Sequence, residues 1–159
     1  MKRQFNYFIL ITLLIITGCS DEDPTGPVIP NESINKIMPL GASRVQGARP
    51  VHESFRYELW KQLVDGGFTF DFIGTVDDPF QYPEYQGLTF DDDHEGRGGF
   101  TSGQILSGIS GWLDEAGIPD IVLFSSPGGN DLLSNRSYSD ALANINEIID
   151  IVVLPIHHP

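Results

Sequence analysis

Cysteine is nearly absent from this 159-residue chain: Cys19 is the only one, so no disulfide can close within it. Basic side chains are scarce as well. Nine Lys and Arg stand against 22 Asp and Glu, a formal net charge of −13. Such a surface repels phosphate backbones and anionic headgroups, which excludes nucleic-acid binding and suits a neutral or cationic substrate. A membrane-length hydrophobic run is also missing. The apolar run from Tyr7 to Ile16 is about ten residues, too short for a bilayer core of roughly 30 Å.

What that run does have is the layout of a secretory signal: Lys2 and Arg3 ahead of it, small residues behind it. Ile16-Thr17-Gly18-Cys19 resembles the lipobox of bacterial lipoproteins, which implies a signal peptide over 1–18, lipidation at Cys19 and an anchor in the bacterial cell envelope, at the outer membrane or cell surface. An ordinary signal peptide with a chance cysteine is the alternative. Without Lys2 and Arg3 the mature charge would be about −15. The next stretch, 19–33, is acidic and carries three prolines between Asp21 and Pro30, so it reads as a flexible tether. Its acidic residues are similar to surface-export signals of some lipoproteins; a plain solvated linker is the other reading.

The globular part is expected over 34–159. "INKIMPL" is an apolar run ending at Gly41 and reads as a buried strand. In "SFRYELWKQLVDGG", Phe55, Leu59 and Leu63 recur at helical spacing, widened by Trp60 and Val64. Ser54 can cap that helix and Gly66-Gly67 can end it. A second strand is expected from Phe68 to Thr75. Val76 to Gly99 is a long Pro-, Gly- and Asp-containing connection, of a length that is usually functional or disordered. Its Asp91-Asp92-Asp93 run reads as a solvated loop or, alternatively, as oxygen ligands for calcium. "TSGQILSGISGWLDEAG" is a second helix despite three glycines. "PDIVLFS" is a third strand, uncharged from Ile121 to Ser125, as expected of a strand covered on both faces. A third helix spans about Ser139 to Val152.

This alternation predicts an α/β fold: a flavodoxin-like three-layer α/β/α arrangement around a parallel sheet, with helices on both faces. Ligands bind such sheets at the carboxyl ends of their strands. Ser43 follows the first strand there, and Asn130 and Asp131 follow the third.

Three stretches carry a family resemblance: "MPLGASRVQG", "DDDHEGRGGFT" and "PDIVLFSSPGGNDLL". In this order, with "FRYELW" and "FDFIGT" between them, they resemble the SGNH (GDSL-type) hydrolases over roughly Lys36 to Asp150, and within these the carbohydrate esterases that deacetylate xylan. The resemblance implies that Ser43 is the nucleophile, needing a base to accept its proton. It implies that the Gly99 N–H, the Asn130 side-chain amide and the Ser43 N–H form an oxyanion hole, whose donors can each be worth about 3 kcal/mol. It gives His94 a structural place and no chemistry. It calls for no cofactor and no metal, and the implied partner is an acylated carbohydrate or other small ester.

Two positions depart from the family pattern. Ala42 stands where the family usually has an Asp that supports the nucleophile loop. The family's base lies in a C-terminal Asp-x-x-His-Pro after two more strands, whereas this sequence runs "IVVLPIHHP" directly after the third helix, with Pro155 in the Asp position before His158. The expectation is therefore a sheet lacking its last strands, in family order 2-1-3, with an exposed edge prone to aggregation. Three functions follow: a serine esterase acting on acetyl esters, a non-catalytic carbohydrate-binding lipoprotein on the same scaffold, or an inactive fragment of such an esterase.

Overall fold

The computed structural model describes residues 35–153. The readings of 1–18 as a signal peptide, of Cys19 and the 19–33 tether, and of Pro155 and His158 lie outside those residues.

The first strand, β1 (Lys36–Gly41), is the centre of the sheet. Its alternation divides the core in two. Met38 and Leu40 are fully buried on one face, against Ile105, Ile109, Leu113, Ile148 and Val152. Ile37 looks to the other face, with Tyr57, Trp60, Phe72 and Phe90. Each fully buried side chain of this size contributes roughly 1.5–3 kcal/mol. The first face is covered by α3 (Ser102–Ala116) and α5 (Tyr138–Val153), the second by α2 (Arg56–Asp65) and the connection after it. This is the expected three-layer arrangement. Among the described residues, no helix is long and apolar enough to cross a membrane.

All strand pairs are parallel. β4 (Ile121–Ser125) runs beside β1 from Ile37 to Gly41. Ile37 pairs with both Phe72 and Ile121, and Leu40 with both Glu95 and Phe124. One residue has only two edges, so β2 (Asp71–Phe72) and β3 (Glu95–Gly96) follow each other along the edge opposite β4. The predicted order 2-1-3 holds, with β3 added.

The second strand is shorter than expected from Phe68 to Thr75. After Ile73 the chain leaves β1, and the His94 segment crosses at Gly74, where a methyl group would overlap the His94 backbone. β3 then takes the vacated half of the edge, while Val76 and His94 form an antiparallel bridge. The stripe of α2 is also rotated from the expected one. Arg56, Tyr57 and Trp60 are buried, Leu59, Leu63 and Val64 are half-buried, and Phe55 is exposed. The helix ends behave as read. Ser54 Oγ accepts the Arg56 N–H at 3.3 Å. Gly67 (φ 67°) closes the C-terminus as the Phe68 N–H reaches Leu63 O at 3.1 Å and the Gly67 N–H reaches Val64 O at 3.0 Å. Nor is β4 covered on both faces: Ile121 is exposed and Val122 to Ser125 are half-buried. Its outer edge has no strand partner among the described residues.

Candidate active site

β1 ends at Gly41, where a side chain would stand 2.7 Å from Ser125 O on β4. Only glycine lets the two strand ends close up this way. The chain then turns into α1 (Ser43–Gln46), a single turn of helix with Ser43 first and exposed. Ala42 holds the N-cap position and no side chain caps the helix; its carbonyl accepts the Val45 and Gln46 N–H groups, both at 3.0 Å.

On the neighbouring strand end, Ser126 adopts φ 52°, a left-handed conformation uncommon for a residue with a side chain. Gly128 (φ 78°) then opens α4 (Gly129–Leu133). The two strand ends enclose a cavity of about 180 Å³ lined by Ser43, Asn130, Ser126 and Arg44, among others. Ser43 and Asn130, separated by most of the domain's sequence, thus share one wall. A larger cavity of about 480 Å³ adjoins it through Arg44 and contains His52, Glu53 and Ser125.

Gly99 is placed differently. It sits with φ 82° in the turn after β3, where the Phe100 N–H meets Arg97 O at 3.1 Å. It does not line the Ser43 cavity. Its tie to that cavity is indirect. Asn130 Nδ2 donates to the Phe100 carbonyl at 2.8 Å, and the Gly98 N–H donates to Gln46 Oε1 of α1 at 2.6 Å. An Asn amide has two hydrogens, so one of them is engaged with Phe100 and the other remains for a ligand.

Asp131 does not face the cavity. It is buried, and its carboxylate accepts the Ser102 N–H at 2.7 Å and the Ser102 hydroxyl at 2.8 Å. It caps the first turn of α3 from another helix, a turn that has no acidic residue of its own. Of the two polar residues after the third strand, Asn130 lines the cavity and Asp131 caps a helix.

One residue escaped the sequence reading. Arg56 is fully buried and holds the far end of α1. Its Nε donates to Val45 O at 2.8 Å, Nη2 to Gln46 O at 3.1 Å and to Asp78 Oδ2 at 2.8 Å, and Nη1 to Asp92 O at 2.6 Å. Burial pulls its pKa down and Asp78 opposes that; a guanidinium stays charged throughout. Tyr82, which donates to the same Asp78 oxygen at 2.8 Å, is pushed up to about 12 by burial and by that hydrogen bond. The available signal was a charged residue set between two aromatics of a core helix.

His94 is fully buried. Its Nδ1 accepts the Gly96 N–H at 2.8 Å, which fixes β3, and its Nε2 has no partner among the described residues. Burial and the nearby Arg56 hold its pKa down at about 3, so it stays neutral. The acidic run beside it is not laid out as a metal cage. Asp91 Oδ2 accepts the Phe72 N–H at 2.7 Å and Asp92 Oδ2 the Asp78 N–H at 3.3 Å. Among the described residues, no group of three or more His, Cys, Asp or Glu could hold a metal ion. Burial raises Asp91 to about 7.

The parallel strand order and the covering helices are those of the SGNH hydrolase fold, and the chain carries that fold. It matches the solved structure of the SGNH-hydrolase family esterase AlinE4 with a TM-score of 0.57 at 23% identity, over 78% of this chain and 55% of that one. Within this class the chain resembles carbohydrate esterases. It is 36% identical to the family 3 carbohydrate esterase of Clostridium thermocellum, with a TM-score of 0.58 over 74% of this chain and 55% of that one. An acetyl esterase variant solved with an acetate ion gives a TM-score of 0.63 at 27% identity, over 75% of this chain and 56% of that one. The chain thus spans a little over half the length of the solved proteins it matches. No protein-family model and no curated protein matches it.

Proposed function

We propose that this chain carries the nucleophile and oxyanion machinery of a serine esterase acting on acetyl esters of carbohydrate. The observation that carries the reading is the shared cavity of Ser43 and Asn130, in a fold whose solved relatives include carbohydrate and acetyl esterases. Ser43 Oγ attacks the ester carbonyl and its proton passes to a histidine. The developing oxyanion is held by the second Asn130 amide hydrogen and the Ser43 N–H; Gly99, which does not line the cavity, is not among these donors. The alcohol leaves with a proton, and water then releases acetate from the acyl-enzyme. Arg56 and Gln46 act on this site through α1, as positioning residues.

The histidine is the open element. None lines the Ser43 cavity among the described residues; His52 lies in the adjoining one. That favours a second reading, in which the chain binds acylated carbohydrate without turnover. A fluorophosphonate probe separates the two. Labelling of the folded full chain that disappears in Ser43→Ala, together with acetate release from acetylated xylan, supports the esterase. Absence of labelling in a folded sample removes it and leaves the binder or an inactive fragment, which binding of acetylated xylan then separates.

The lipobox-like stretch supports a further part of the proposal, that Cys19 carries a lipid and anchors the mature protein to the cell envelope. Metabolic labelling with an alkyne palmitate analogue should mark the wild type and leave Cys19→Ser unmarked. Equal labelling of both would refute the anchor.

A further inference from the structure

A cavity of about 400 Å³ lies in the long connection after β2 and shares no lining residue with the Ser43 cavity. That volume is in the range of small-ligand sites. Its wall is rich in hydrogen-bond acceptors and has no basic side chain. The acceptors are not all available. Asp78 is consumed by Arg56 and Tyr82 at Oδ2 and by the Phe80 N–H, 3.2 Å from Oδ1. Asp92 spends Oδ2 on the Asp78 N–H. Asp92, half-buried, lines the cleft together with the exposed Glu84, Gln81 and Thr89.

The rings divide in the same way. Tyr82 and Phe90 pack on each other with centroids 4.7 Å apart, Tyr57 lies 4.9 and 5.2 Å from them, and the Arg49 guanidinium covers Tyr82 at 4.7 Å. Phe80 alone among the lining rings is exposed, at 39%. Phe80 is therefore the lining ring that keeps exposed surface for a ligand, beside several acceptors. An anion is repelled by the uncompensated carboxylates. An ammonium group is best held by several ring faces, and here only one lining ring is exposed. A sugar ring fits both features: its C–H face can lie on one aromatic ring while its hydroxyls donate to the surrounding acceptors.

We propose that this cleft is a second saccharide-binding site for a neutral, polyhydroxylated chain. Phe80 is the platform, and Glu84, Gln81, Thr89 and Asp92 receive the hydroxyls. The site would hold a polymer on the protein and raise the local concentration of its ester groups near Ser43. The binding chemistry does not require Ser43 to be a nucleophile, so it stands apart from the esterase reading.

The test is calorimetric titration of the full chain with xylohexaose, cellohexaose and, as a cationic probe, the glucosamine hexamer. Phe80→Ala and Gln81→Ala are compared with Ser43→Ala, with circular dichroism showing that each is folded. Expected is binding of a neutral hexamer that persists in Ser43→Ala, falls at least tenfold in Phe80→Ala and weakens in Gln81→Ala. Binding lost in Ser43→Ala but kept in the other two would place the saccharide in the esterase groove and overturn the proposal. Tighter binding of the glucosamine hexamer than of the neutral ones would overturn the ligand class. A folded wild type that binds none of the three would overturn the site.

Discussion

Replacing Arg56 by Met tests the inference that a buried charge holds α1, the helix that begins with Ser43. Both side chains of the Arg56–Asp78 pair are almost without exposure, at 0% and 1%. Without the guanidinium, Asp78 keeps only the Tyr82 hydroxyl and the Phe80 N–H, and the carbonyls of Val45, Gln46 and Asp92 lose their donors. Leaving one buried charge uncompensated costs about 3–5 kcal/mol. A domain is stabilised by only about 5–15 kcal/mol in total, so Arg56→Met should fold weakly. Adding Asp78→Asn removes the stranded charge and should restore part of the loss. Urea titrations followed by the fluorescence of Trp60 and Trp112 give all four corners of the double-mutant cycle. An Arg56→Met variant within about 1 kcal/mol of wild type would refute the reasoning. So would a double variant whose loss is the sum of the two single losses.

Three other predictions follow from particular contacts. Asp91, raised to about 7 against an ordinary 3.8, makes the folded state the better proton binder between those values, so its contribution falls as pH rises from about 4 to about 7. His94, lowered to about 3 from 6.5, acts the other way, adding stability as pH rises from about 3 to about 6.5. Asp91→Asn should therefore leave a stability that climbs through pH 3–6.5 in denaturant titrations, and His94→Gln one that declines between pH 4 and 7; identical profiles for the two would contradict both assignments. Asp131→Ala removes both acceptors of Ser102 and should cost about 1–3 kcal/mol; a Tm unchanged from wild type would show that the α3 cap is replaceable. Gly74→Ala forces a methyl group into the His94 backbone and should prevent soluble expression; a well-folded Gly74→Ala protein would refute the need for glycine at the crossing beside β2.

The elements with strong periodicity were legible. The predicted second helix, Thr101 to Gly117, is observed as Ser102–Ala116, and the third, about Ser139 to Val152, as Tyr138–Val153. The third strand, read from Pro119 to Ser125, is observed as Ile121–Ser125. These segments carry their own pattern of burial. What was not legible depends on partners distant in sequence. Nothing in "FDFIGT" announces that the chain leaves β1 at Gly74, because the cause is a second segment arriving with His94. β3 and α4 are too short to show a period. Arg56 was hidden because three of its partners are backbone carbonyls, which any residue supplies, and its one side-chain partner, Asp78, lies 22 residues on in the long connection. At the site, Ser43 and Asn130 were legible as a pair from their motifs and from their places after strands one and three. Gly99 was assigned by resemblance alone, and it lies in a turn joined to the cavity through Phe100.

Asn130 and Asp131 are adjacent, yet one grips the residue just before Thr101 and the other the residue just after it. The dipeptide is a two-point clamp on the start of α3, and α3 is half of the cover over one face of the sheet. The orientation of the amide beside Ser43 is therefore inherited from the folding of a helix pair. A change that loosens the α3–α5 contact should be felt first at this wall of the cavity. A change at this corner therefore also has to be tested for stability, whereas Arg44, which lines the same cavity from α1, is not part of that clamp.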